Sequence, residues 1–133
     1  MKIRSLLSLT TLAVGVLAPD EEASVRAAVA AVLPRECQFI GLPDGCEFLE
    51  TVEAYEPDLV ILGLRLPGED GFSLYRRLRG RAEFRHIPVL FLISRKEEAA
   101  WRRLLEAQGA ACLAKPFSAK ALREAVVRLT GGR

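Results

Sequence analysis

Apolar residues along this chain come in short continuous runs, separated by longer stretches with helical spacing. The clearest run is Asp58-Leu59-Val60-Ile61-Leu62-Gly63-Leu64. Its apolar positions do not alternate with polar ones, so both faces of the strand are buried, as in a parallel sheet. Pro88 to Ile93 reads the same way, with the proline at the first position, where its missing N–H does no harm. Thr11 to Ala18 is a third run, and Gln38 to Gly41 and Ala111 to Ala114 are shorter ones. Helices fall between them. Asp20, Glu21 and Glu22 open a helix reaching about Leu33, with the acids on the favourable end of its dipole and Pro34 stopping it. Gly45 to Tyr55 carries Phe48, Val52 and Tyr55 on one helical face. Pro67, Gly68 and Gly71 make a loop, and Phe72 to Leu78 is helical. Lys96 to Gln108 is a helix ended by Gly109, and Ser118 caps a last helix through about Leu129.

The order is five strand–helix pairs, which predicts an α/β domain: a doubly wound parallel sheet with helices on both faces, in three layers. A length of 133 residues suits one domain spanning 1–133, with its core at about 11–130. In an open α/β sheet the site lies at the carboxyl ends of the strands. Here that means the residues just after Ala18, Gly63, Ile93 and Ala114.

Composition narrows the chemistry. Half the residues are hydrophobic, enough for a core without staples. The net charge of +2 demands neither nucleic acid nor an acidic partner. The three cysteines, Cys37, Cys46 and Cys112, are far apart, and His86 is the single histidine, so zinc-ligand spacing is absent. Scattered thiols fit a reducing, cytoplasmic setting. Met1-Lys2-Ile3-Arg4 and the apolar run after it imitate a secretory signal. That run is also needed as the first strand, and Pro19 is a poor residue after a cleavage point, so the strand reading is preferred. No run is long and apolar enough for a membrane span.

Four segments at the strand ends carry a resemblance. They are Val16-Leu17-Ala18-Pro19-Asp20-Glu21-Glu22 with Arg26 following; Pro57 to Phe72; Ile87 to Ser94; and Leu113-Ala114-Lys115-Pro116-Phe117. In this order and at these separations, the sequence resembles the receiver domains of two-component response regulators, whose fold is flavodoxin-like. In that family an acidic pair after the first strand helps hold Mg²⁺, and an aspartate ending the third strand accepts a phosphoryl group. A Thr or Ser ending the fourth strand and a Lys before Pro ending the fifth contact that group. An aromatic residue three positions before the Lys moves with the hydroxyl.

By resemblance, Asp20 and Glu21 match the acidic pair and Lys115 the lysine. Gly63 stands where the acceptor belongs, Ile93 where the hydroxyl belongs, and Cys112 where the aromatic belongs. Gly63 has no carboxylate to phosphorylate, and Ile93 has no donor for a phosphoryl oxygen. Two carboxylates facing one lysine are nearly balanced without a metal, so Lys115 is expected to bridge Asp20 or Glu21, and no cofactor, Mg²⁺ included, is expected.

Other candidates have plainer readings. Ser94 fits the small residue that follows the hydroxyl position. Asp70 is ordinary turn chemistry before Gly71, and Asp58 is structural. Arg76, Arg77, Arg79, Arg81, Arg85 and His86 form a basic stretch that reads as a solvated helix face before it reads as a binder of nucleic acid or an acidic partner. Trp101 is the single tryptophan. Ala100, Leu104 and Ala107 can form the core stripe of its helix, which displaces Trp101 and Leu105. An exposed Trp101 beside Arg102 and Arg103 would make an interface anchor; the competing placement is along the core edge.

The expected function is a phosphorylation-independent pseudo-receiver: not an enzyme, but a protein-interaction module in a two-component pathway. Its partner would be a kinase, an output domain or a second copy, and the homodimer would use the face of the fourth helix, fifth strand and fifth helix. It would be a stand-alone adaptor or a domain of a longer protein, with no direct nucleic-acid or membrane partner. The competing expectation is an atypical regulator phosphorylated at a substitute side chain such as Ser94, with Mg²⁺ at Asp20 and Glu21.

Overall fold

A computed structural model describes residues 12–17, 23, 25–27, 38–66 and 68–130. Five parallel strands form one sheet: β1 (Leu12–Val16), β2 (Gln38–Leu42), β3 (Leu59–Gly63), β6 (Val89–Ser94) and β7 (Ala111–Lys115), in the order β2-β1-β3-β6-β7. Between β3 and β6 lies a small antiparallel hairpin, β4 (Arg65–Leu66) with β5 (Glu69–Asp70). The helices are α1 (Phe48–Tyr55), α2 (Gly71–Arg79), α3 (Arg95–Ala107) and α4 (Ala119–Leu129), with a 3-10 turn at Ala82–Phe84. Residues 23 and 25–27 are helical and lie within the predicted 20–33 helix, the rest of which is outside the described residues.

The continuous apolar strands are explained by the two cores they join. Along β3, Leu59 and Ile61 face one side while Val60 and Leu62 face the other, the period of two of any strand. The same alternation runs along β6, with Val89, Phe91 and Ile93 on one side and Leu90 and Leu92 on the other. One core takes Phe48 and Val52 of α1, Leu74, Tyr75 and Leu78 of α2, and Leu105 of α3. The opposite core takes Val25, with Leu122, Ala125 and Val126 of α4. Every position of β3 is buried, so a polar residue on either face would lose its water without gaining a partner.

Two local features differ from expectation. The stretch from Arg65 to Asp70 pairs as a hairpin instead of forming a plain loop. Gly68, at φ +78°, supplies the left-handed turn. The phase of α3 is also turned from the predicted one. Leu105 is wholly buried and Trp101 is half-buried against the core, while Ala100, Leu104 and Ala107 are exposed, Leu104 at 42%. Both stripes have helical spacing. The observed one buries an indole and a leucine, the alternative one leucine and two methyls, so apolar area decides the rotation.

Candidate functional site at the carboxyl ends of the strands

Parallel register brings the key positions to one edge. Gly63 ends β3 and pairs with Leu92 of β6. One step further along, Ile93 pairs with Ala114 and Ser94 with Lys115. Gly63, Ile93, Ser94 and Lys115 therefore stand at the same end of adjacent strands, as expected from the sequence. Asp20 and Glu21, and with them the expected bridge to Lys115, lie outside the described residues.

What these positions offer is largely apolar. Gly63 is buried, and its carbonyl oxygen is packed against Gly71, so a side chain at 71 would collide with it. Gly71 N–H donates to the Leu64 carbonyl at 2.8 Å, closing the loop over the end of β3. Ile93 is fully buried and belongs to the core shared by α1, α2 and α3. Cys112 lies in that core too, 8% exposed. Burial pushes its thiol up to about 11; Arg102 acts in the opposite direction, while Glu106 and Glu98 add to the rise. It is a packed neutral thiol and not a reactive thiolate.

The hydroxyl at the next position is already engaged. Ser94 Oγ accepts from Glu97 N–H at 3.0 Å, and Glu97 Oε1 accepts from Ser94 N–H at 2.7 Å. This capping box starts α3. Asp70 is likewise a cap: its Oδ1 accepts from Ser73 N–H at 2.7 Å at the start of α2. Glu97 reaches a second partner, its Oε2 lying 3.4 Å from Arg65 Nε. The Ser94-x-x-Glu97 spacing is the signal that could have found this capping box, which sequence reasoning missed, but the Arg65 contact has no sequence signal, because it depends on how the hairpin folds back.

The basic stretch is mostly occupied internally. Arg79 donates to the Phe84 and Ile87 carbonyls and stands over the Tyr75 ring. Arg85 donates to the Arg79 carbonyl, Arg77 pairs with Glu69, and Arg81 with Glu83. Trp101 packs on Phe72, ring centroids 5.7 Å apart, so it is a core-edge residue. Leu105 is withdrawn from any surface patch by its burial. Arg102 bridges Glu98 and Glu106 along α3, and Arg103 is exposed. Between α3 and α4 a groove of about 480 Å³ is lined by Arg102, Glu106, Cys112, Ala121, Ala125 and Arg128, among others.

The model of the response regulator receiver domain matches residues 16–127. The chain belongs to this family. The sensor histidine kinase TmoS of Ectopseudomonas mendocina is 33% identical over 86% of this chain and 12% of its own length. The transcriptional regulatory protein CseB of Streptomyces coelicolor is 33% identical over 80% of this chain and 45% of its own length. The chain thus spans less than half of these curated relatives. Among solved structures, a putative response regulator from Chloroflexus aurantiacus superposes with a TM-score of 0.80 at 24% identity, covering 92% of this chain and 98% of that one. The receiver domain of the sensor histidine kinase PA1611 from Pseudomonas aeruginosa superposes with a TM-score of 0.78 at 22% identity, again covering 92% and 98%, and holds a magnesium ion in its active-site cleft. These likenesses confirm the flavodoxin-like fold.

Of the positions that would face such an ion, Asp20 and Glu21 lie outside the described residues. Gly63 brings no side-chain oxygen to the end of β3, and among the described residues no three His, Cys, Asp or Glu side chains are grouped to hold a metal. Among the same residues, no helix is long and apolar enough to cross a membrane.

Proposed function

We propose that this receiver domain works in two-component signalling by binding a protein partner, without passing through an aspartyl phosphate. The observation that carries this reading is Gly63 at the end of β3, opposite Leu92 and at the same sheet edge as the Ser94–Lys115 pair. Acyl phosphate formation needs a carboxylate as nucleophile, and a glycine at that point supplies none. Two neighbouring positions support it. Ile93 faces the core and has no donor, and Cys112 is a small buried side chain where a large one would have to move. The remaining hydroxyl, on Ser94, holds the first turn of α3.

On this reading Lys115 is retained for structure, balanced by Asp20 or Glu21 without a metal. The domain is a cytoplasmic binding module and not a catalyst, its partner a kinase, an output domain or a second copy. Its recognition face is made of α3, β7 and α4, where Arg102, Arg103 and the groove beside Cys112 lie. Incubation with Mg²⁺ and a small-molecule phosphodonor, followed by intact mass, tests the proposal. The unmodified mass is the expected result. A stoichiometric gain of one phosphoryl group would overturn it, and mapping that group would identify the substitute acceptor.

A further inference from the structure

We propose that Glu97 is a built-in latch that ties the loop after β3 to the first turn of α3 and holds this end of the sheet in one conformation. The inference rests on the preceding reading only in its purpose: with no phosphoryl group to draw these segments together, a fixed contact does so.

One carboxylate of α3 contacts two other segments. Glu97 Oε1 accepts from Ser94 N–H, at the end of β6, at 2.7 Å. Glu97 Oε2 pairs with Arg65 Nε of β4, two residues past Gly63, at 3.4 Å. Ser94 is itself paired with Lys115 of β7. The Glu97 side chain is 15% exposed and has an assigned partner on each oxygen, whereas the Arg65 side chain is 88% exposed. The acid is thus the fixed element, positioned by the capping box, and the arginine closes onto it from the hairpin. Asp70, which faces Arg65 across the hairpin, uses Oδ1 to cap α2. On its other side the hairpin is anchored by Gly71, whose N–H bonds the Leu64 carbonyl and whose Cα lies on the Gly63 carbonyl. The hairpin is therefore held at its base by backbone packing and across the sheet edge by charge.

Because Arg65 is exposed, the ion pair shifts the open–closed balance of the hairpin by roughly two- to fivefold, and salt weakens it. Two substitutions separate charge from capping. Glu97→Gln keeps an acceptor for Ser94 N–H and removes the charge; Arg65→Met removes the other partner. Amide hydrogen exchange, read residue by residue on the full chain by NMR, should quicken roughly two- to fivefold over residues 65–71 in each variant. The double variant should show no further gain, and about 1 M salt should abolish the difference from wild type. The first turn of α3 should be unaffected in Arg65→Met, which leaves the capping box intact. Unchanged exchange over 65–71 in the two single variants would overturn the latch. A phosphoryl adduct in the mass experiment would overturn the phosphate-free reading while leaving the exchange result standing, so the two failures are distinguishable.

Discussion

The bodies of β3 and β6 and the carboxyl ends of the same strands place opposite demands on side chains. Along the bodies, Leu59 to Leu62 and Val89 to Leu92 are at most 1% exposed, and each residue is packed into one core or the other. Apolar bulk is all the fold needs there. At the ends, a phosphorylatable receiver needs particular functional groups instead, and here the side chains of Gly63 and Ile93 supply none. Ile93 continues the side of the strand set by Val89 and Phe91 and enlarges the core that α1, α2 and α3 share. Cys112 joins the same core. On the reading proposed above, Ile93 and Cys112 serve packing. A fold and its chemistry can therefore part company within one strand, because burial constrains volume while the site constrains atoms.

The comparison yields predictions that descend in size. Phe91→Ala removes a fully buried ring in the body of β6 and should cost roughly 3–5 kcal/mol of stability, read by urea unfolding. On α3, Leu105→Ala should cost about 2–5 kcal/mol and Leu104→Ala no more than about 0.5, since the first is buried and the second 42% exposed. Equal costs would mean that the helix is rotated toward the Ala100-Leu104-Ala107 stripe.

Cys112 tests whether its position has truly become core. Its thiol is pushed from 9.0 in the reference state to about 11 in the folded chain, burial being the main cause. The folded state holds the proton more tightly, so the contribution is complete below about pH 9 and is lost as pH rises toward 11. Wild type should therefore lose up to about 2 kcal/mol more than Cys112→Ala between these limits. Parallel denaturant midpoints across that range would contradict the packed-thiol assignment. A smaller effect than at Cys112 is expected at Ser118, whose Oγ accepts from Ala121 N–H at the start of α4. Ser118→Ala should cost about 1 kcal/mol.

Much of the architecture was legible because continuous apolar runs have few alternatives. The predicted strands at 58–64 and 88–93 differ from the observed β3 and β6 by a residue at either end. Ser118 was readable as a cap, and Asp70 as a residue of the turn that precedes α2. The hairpin was not readable, since two-residue strands carry no periodicity and their pairing depends on Gly68 at positive φ and on Gly71 lying against Gly63. The phase of α3 was ambiguous because both candidate stripes repeat at helical intervals. At the site, the residue types at 63, 93 and 112 were plain from the sequence, and parallel register then set 63 opposite 92, one step short of 93. The tie from Glu97 to Arg65 is tertiary and left no trace in spacing.

The most direct test of the central claim is a two-dimensional amide spectrum recorded with and without Mg²⁺ and beryllofluoride, a mimic of the acyl phosphate. A sheet edge without an acceptor carboxylate should leave the amides of Gly63, Ser94 and Lys115 unmoved at millimolar concentrations of both. Saturable shifts of those three amides, at one equivalent of bound mimic, would show a working phosphoryl site and contradict the account.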